Sequence, residues 1–286
     1  MPDIQSSSSA KALSSYSAPD RPKVGSTMRL SASEMATLSK AREGRWRPGL
    51  SDQPLHSEIF ASTGDGSGAG LALGLARDAL NIQMHIAGEG ADPTADVYDR
   101  RQVLWVQDAR AVQRGGRPYC QGLPADLRDR LIHVEAKTTE DALFALEEGL
   151  RCRDLACVIG EISGNPRAFD FTASRRLSLT AEKHGVPLWL IRLDAAAELS
   201  SARMRWRAQP APSSRPLWNP DAPGSPAWKA ELFRAARHAP GKWILSNEDG
   251  RLHARKPNTP IAANTQNIGD LVRPTFGRSL AAYARA

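Results

Sequence analysis

From Leu55 onward, short apolar runs recur along the chain, each followed by a stretch with helical spacing. The runs are Glu58-Ile59-Phe60, Val103-Leu104-Trp105-Val106, Leu131-Ile132-His133-Val134, Leu155-Ala156-Cys157-Val158-Ile159 and Leu188-Trp189-Leu190-Ile191. Being apolar on both faces, they suit central parallel strands covered by helices on either side. Thr138 and Asp141 form a capping box ahead of Leu143, Leu146 and Leu150, which repeat at helical spacing. Phe171 to His184 reads as another helix, closed by Gly185 and Pro187. Strand–helix alternation at these lengths predicts an α/β domain with right-handed crossovers.

After about Ser200 the period becomes two. Ala202, Met204, Trp206 and Ala208 alternate with Arg203, Arg205 and Arg207, the pattern of a half-buried strand with an all-arginine outer face. Guanidinium groups so placed repel one another unless they meet phosphates or carboxylates, so the three are expected to contact an acidic partner or DNA. A Pro-rich loop (210–226) and a short helix (227–238) are read next. Trp243-Ile244-Leu245 and Leu252-His253-Ala254 then flank a turn at Asp249-Gly250, a hairpin signal. The sheet is therefore expected to end in antiparallel strands at its C-terminal edge.

The ends read differently. Residues 1–27 are rich in Ser, Ala and Pro and suggest a disordered leader; 31–44 suit a short helix, and Arg45 to Gln53 a basic connector. The division expected is 1–50 leader and connector, 51–256 α/β domain, and 257–286 irregular tail. In that tail Phe276, Leu280 and Tyr283 fall at i, i+4 and i+7, so a helix there presents one apolar face for docking to a partner.

At 286 residues and 41% hydrophobic content the chain can build a sizeable core. No apolar run approaches the ~20 residues that span a bilayer, and the N-terminus lacks the pattern of a secretory signal. Cys120, Cys152 and Cys157 are an odd count without metal-ligand spacing, which fits reduced thiols. A cytoplasmic protein without a membrane partner is the expectation. Charge is uneven: residues 1–50 carry +4, 51–198 carry −6 and 199–286 carry +9. Basic ends on an acidic middle suggest affinity for acidic partners, DNA included, although 30 arginines against 8 lysines is also what a GC-rich genome produces.

Candidate chemistry centres on Thr63-Gly64-Asp65-Gly66-Ser67-Gly68-Ala69-Gly70-Leu71, between a predicted strand and an apolar helix. That is the place of a phosphate-binding loop, whose glycines let backbone N–H groups wrap a phosphate at a helix N-terminus. A working loop reads G-x-x-x-x-G-K-[ST]. Counting from Gly64, the last three places hold Ala69, Gly70 and Leu71, and no lysine lies between Lys40 and Lys137. The loop, with Gly64, Gly66, Gly68 and Gly70, is read as degenerate, so no cofactor and no catalysis are expected. Asp108, Glu135 and Glu161 fall at predicted strand ends, where ligand sites of α/β sheets lie, but helix caps and surface charges explain them equally. No histidine pairs with Cys or Asp at ligand spacing, so no metal is expected. Trp105 and Trp189 suit the core, whereas Trp218 and Trp228, among prolines, suit exposed partner anchors.

The order of glycine loop, helix and successive strands resembles the RecA-type ATPase core, a three-layer fold. The likeness puts Ala109 where RecA proteins carry the water-activating glutamate, Asp108 being one residue short, and Gly160 in place of the Walker B aspartate, followed by Glu161. Phosphate grip, metal ligation and water activation thus all look lost, and phosphoryl transfer depends on each. Within that superfamily the chain resembles ImuA, through Leu55-His56-Ser57-Glu58-Ile59-Phe60, the glycine loop, Val103-Leu104-Trp105-Val106-Gln107 and Ser246-Asn247, over about Leu55 to Asp249. The resemblance implies a non-catalytic role in damage-induced (SOS) translesion synthesis and mutagenesis. The partners it implies are ImuB, a Y-family polymerase relative, with an error-prone replicative polymerase and RecA. Two alternatives stand beside it: an unorthodox RecA-like nucleotide-binding ATPase, and a cell-division inhibitor resembling SulA.

Overall fold

Nine strands form a single sheet in the order β3-β2-β4-β5-β1-β6-β7-β8-β9. The computed structural model describes residues 45–51, 53–88, 101–214, 216, 219, 221–248 and 250–257, for 82–88 the backbone alone. The first six strands in that order run parallel: β3 (Leu131–Ala136), β2 (Gln102–Asp108), β4 (Leu155–Ser163), β5 (Leu188–Leu193), β1 (His56–Ala61) and β6 (Met204–Pro210). β7 (Ala227–Ala235), β8 (Gly241–Glu248) and β9 (Arg251–Arg255) continue the sheet as an antiparallel meander. The α/β class, the mostly parallel sheet and its antiparallel edge agree with the sequence reading.

Helices cover both faces. α1 (Ser67–Gly88), α2 (Ala109–Gly115) and α3 (Ala125–Arg128) lie on one side, with Leu71, Leu75, Ala111 and Leu127 in a core shared with Trp105, Trp189 and Trp206. α4 (Thr139–Arg151) and α5 (Phe171–His184) lie on the other, where Leu143, Leu146, Leu150 and Leu177 pack on Val158, Leu188 and Leu190. Caps hold these helices where the sequence placed them. Thr138 Oγ1 accepts from Asp141 N at 3.1 Å, and α5 starts on Asp170, whose carboxylate accepts from Ala173 N. α5 stops at Gly185, whose left-handed φ of 73° costs a glycine little. At the other edge Gly250, φ 78°, completes the turn between β8 and β9.

Three expectations change. Residues 227–235 are strand β7, not helix: Trp228, Ala230 and Leu232 are buried and alternate with Lys229, Glu231 and Phe233. The Ala, Glu and Leu content favours helix locally, but pairing with β6 and β8 on both sides overrides that propensity. Trp46, read as part of a basic connector, is fully buried, and its ring meets Trp206 and Trp243 edge-on at 4.9 and 5.5 Å. Trp228 is buried too and offers no exposed anchor. The segment 1–44, Trp218, and Phe276, Leu280 and Tyr283 lie outside the described residues.

A polar seam runs through the middle of the sheet. Glu58, fully buried on β1, stands opposite Arg205 on β6, and Arg205 Nε donates to Glu58 Oε2 at 2.8 Å. Ser200 Oγ donates to the other carboxylate oxygen at 2.6 Å. The seam extends through Ser174, Ser201 and Ser178 to His56, whose Nδ1 lies 2.6 Å from Ser178 Oγ. Removing one partner of a buried ion pair leaves an uncompensated charge, so Glu58→Gln should cost about 3–5 kcal/mol in denaturant unfolding. An unchanged unfolding midpoint would show that Arg205 finds water.

Burial pushes the His56 pKa down to about 4, with Arg205 adding in the same sense and Glu58 and Glu182 opposing. The folded chain therefore keeps His56 neutral, while the unfolded chain protonates it below about 6.5. Stability from this group is complete above pH 6.5 and is lost as pH falls toward 4, by about 3 kcal/mol. His56→Asn should flatten that acid limb, read as denaturant midpoints from pH 7 to 4. Comparing the two proteins isolates His56 from Asp78 and Glu161, whose burial raises their pKa values and acts in the opposite sense.

Candidate functional site

The glycine-rich loop leaves β1 at Ala61 and opens α1 at Ser67. Its backbone donors already have acceptors. Thr63 N and Thr63 Oγ1 donate to the two oxygens of Asp194 at 3.1 and 2.6 Å, and Gly64 N donates to Ser62 Oγ at 3.0 Å. Ser67 N donates to Asp65 Oδ1 at 2.8 Å, and Gly70 N to Gly66 O at 2.9 Å. A carboxylate of the chain thus sits at the N-terminus of α1, the position that favours an anion. Asp194, just past β5, takes a left-handed φ of 49° to reach Thr63 with both oxygens. Those hydrogen bonds hold its pKa below the usual carboxylate range, with Arg114 adding to the effect at 3.1 Å.

Two loop glycines are required by packing. A Cβ at Gly68 would stand 2.8 Å from Ala61 Cβ and 2.9 Å from Ile191 Cγ2, which allows α1 to start close against β1 and β5. A Cβ at Gly70 would stand 2.7–2.8 Å from the Trp228 indole. Gly70 is the place a phosphate-gripping lysine would occupy, and β7 fills it with an aromatic ring.

Beside the loop lies a cavity of about 490 Å³, lined by Gly64, Gly66, Trp105, Gln107, Tyr119 and Glu161 among others. Glu161 is buried at the end of β4 and accepts from Trp105 Nε1 at 3.0 Å and Gln107 Nε2 at 2.8 Å. Burial raises its pKa, an effect opposed by those two hydrogen bonds and reinforced by Asp108. Gln107 also donates to Gly116 O, and its Oε1 lies 2.8 Å from His133 Nε2. The sequence placed the strand-end acid at Gly160. The geometry moves that position: a Cβ at Gly160 would press on Leu190 and Leu146 under α4, whereas Glu161 faces the loop. An acid therefore does face the cavity, one residue later than the alignment by likeness put it.

The other strand-end acids are structural. Asp108 caps α2 through Ala111 N at 2.7 Å and accepts from Ser163 N at 3.3 Å, while Glu135 pairs with Arg117. Among the described residues no group of three or more His, Cys, Asp or Glu could hold a metal ion, and no helix is long and apolar enough to cross a membrane.

The arginine face is realised only in part. Arg203, Arg205 and Arg207 do meet carboxylates, but the chain supplies them: Glu182 at 3.1 Å, Glu58 at 2.8 Å and Glu231 at 3.4 Å. Arg205 is buried and cannot reach a partner. Arg203 and Arg207 are exposed, and Arg207 stacks over Phe233 at 4.2 Å. Periodicity could not separate Arg205 from its neighbours, because nothing in the local pattern reveals that Glu58 lies opposite.

Putting the missing lysine back tests this site. Gly70→Lys should lower the melting temperature by displacing Trp228, and should not produce ATP turnover. Restored turnover with unchanged melting would mean that the indole moves aside freely.

No family model matches the chain. Two curated relatives, both named Protein ImuA and both from strains of Caulobacter vibrioides, are 35% identical to it over 140 residues. The match takes in 45% of this chain and 53% of the relative, so the chain spans about half the length of the curated relatives it matches. It bears out the resemblance to ImuA and supports assigning the chain to that family.

Proposed function

We propose that the chain is a non-catalytic adaptor of an ImuA/ImuB mutagenesis system, built on a RecA-like frame whose phosphate loop no longer takes nucleotide. The observation that carries this reading is the loop's internal hydrogen bonding. Asp65 fills the N-terminus of α1, and Asp194 takes the donors of Thr63. A triphosphate entering here would have to displace two carboxylates and approach a third, Glu161, in the cavity wall. Like charges so close oppose binding, and no lysine reaches in from the loop to offset them. The order of loop, helix and parallel strands supports the RecA-like frame, and the ImuA relatives support the mutagenesis setting. On this reading ImuB is the first partner, with RecA and the error-prone polymerase as further ones.

Glu161 favours a second reading, in which the cavity keeps a nucleotide or a cation by chemistry of its own. Thermal shift separates the two. A ligand at 100-fold its dissociation constant stabilises a fold by about 2.7 kcal/mol. Millimolar Mg-ATP should therefore leave the melting temperature unmoved, and turnover should stay at background with or without single-stranded DNA. A shift of several degrees, lost in Glu161→Gln, would overturn the adaptor reading in favour of the second. Capture of an ImuB-like protein by the full chain, undiminished by Asp65→Asn, is the matching positive result.

A further inference from the structure

Beyond β6 the sheet turns one face outward without a helix over it among the described residues. The inward residues of the meander, Trp228, Ala230, Leu232, Trp243, Leu245 and Leu252, join the core beneath α1. The outward ones are polar and mostly basic. In register across the strands, Arg207 stands beside Glu231 and Glu231 beside Lys242, while Lys229 stands beside Ile244 and Ile244 beside Arg255. Four cations from four strands thus surround one acid.

Arg207, Lys229 and Lys242 frame a hollow of about 190 Å³, with Ile244 and Pro257 in its walls. Glu231 reaches Arg207 at 3.4 Å and Lys242 at 3.5 Å, both loose contacts on side chains 51% and 69% exposed. Lys229 makes no ion pair among the described residues. One carboxylate against three cations leaves the hollow short of negative charge. The rest of the chain is ill suited to supply it: residues 258–286 hold one acid, Asp270, against Arg273, Arg278 and Arg285, and residues 1–44 also carry excess positive charge.

We propose that this hollow seats a phosphate of single-stranded DNA, with Arg255 beside the path of the backbone. The choice of DNA rests on the mutagenesis reading above; the cationic hollow itself does not. A single strand fits better than a duplex. Four strands span about 14 Å, and no described helix stands out from this face to enter a groove. A rigid duplex would therefore touch few of these cations, whereas a flexible strand can follow them from β6 to β9.

The test is fluorescence anisotropy of the full chain with a labelled oligothymidylate of about 16 nucleotides, across a salt series. Replacing all three cations, R207Q/K229Q/K242Q, should weaken binding at least about tenfold and make the slope of log affinity against log salt shallower by about 2. The charge-preserving K229R/K242R should bind as the unaltered protein does. Lys229→Glu alone, at an exposed unpaired side chain, should weaken binding without lowering the melting temperature and guards against misfolding of the triple variant. Unchanged affinity and slope in the triple variant would overturn the proposal. So would equal affinity for a duplex of the same length, or displacement of the oligonucleotide by polyglutamate at equal charge, which would assign the hollow to an acidic protein. ATP-induced stabilisation, by contrast, would sink the adaptor reading and leave the DNA result standing.

Discussion

Glu58 and Arg205 lie directly opposite one another where β1 meets β6, the seam at which the parallel sheet passes into its antiparallel extension. Both are buried, and Glu58 receives a second hydrogen bond from Ser200 on the segment that leads into β6. Such a pair stabilises little in net terms, because desolvation offsets most of the attraction. Its effect is on register. A slip of β6 by one residue would turn Arg205 into the apolar core under α1 and leave Glu58 facing an apolar side chain. The neighbouring hydroxyls and His56 extend the requirement to α5, so three separate elements must arrive together before any of these groups is satisfied.

The extension is fastened a second time on the opposite face. Trp228 of β7 lies against Gly70 and Gly74 of α1, the helix that the glycine loop opens. The contact holds the meander down and, in doing so, occupies the space into which a side chain at Gly70 would grow. Loss of phosphate grip is thus part of how the fold is packed, beyond the change of one residue. Asp65 completes the substitution. An unliganded helix N-terminus exposes donors and a partial positive charge, and here the chain's own carboxylate meets them.

Where the parallel strands and the two long outer helices lie could be read from sequence, because their signals are local. Five apolar runs became five strands, and Thr138, Asp170 and Gly185 delimit α4 and α5 through contacts within three or four residues. The glycine loop was legible in place but not in meaning, since its hydrogen-bond partner Asp194 is 131 residues away. β7 was misread for a related reason: AWKAELFRA satisfies helix propensity and a period of two at once, and only strands on both sides decide between them. Gly160 and Glu161 show the same limit at single-residue scale. A likeness can misplace an acid by one position, and in a strand one position is the opposite face of the sheet.

These placements divide charge between the two ends of the sheet. At the loop, Asp65, Asp194 and Glu161 gather carboxylates where a RecA-like frame would hold a polyanion. On the meander, Arg207, Lys229, Lys242 and Arg255 gather cations around Glu231. Attraction for anions is therefore strongest away from the ancestral pocket, on strands that lie outside the parallel core. Because potentials of this kind act over about a Debye length, ~8 Å at physiological salt, the two surfaces act separately. An anion drawn to the meander does not sense the acidic cleft, and a basic partner drawn to the cleft is not repelled by the meander. A frame that has given up nucleotide for packing can in this way meet two unlike partners at once, which is the property an adaptor requires.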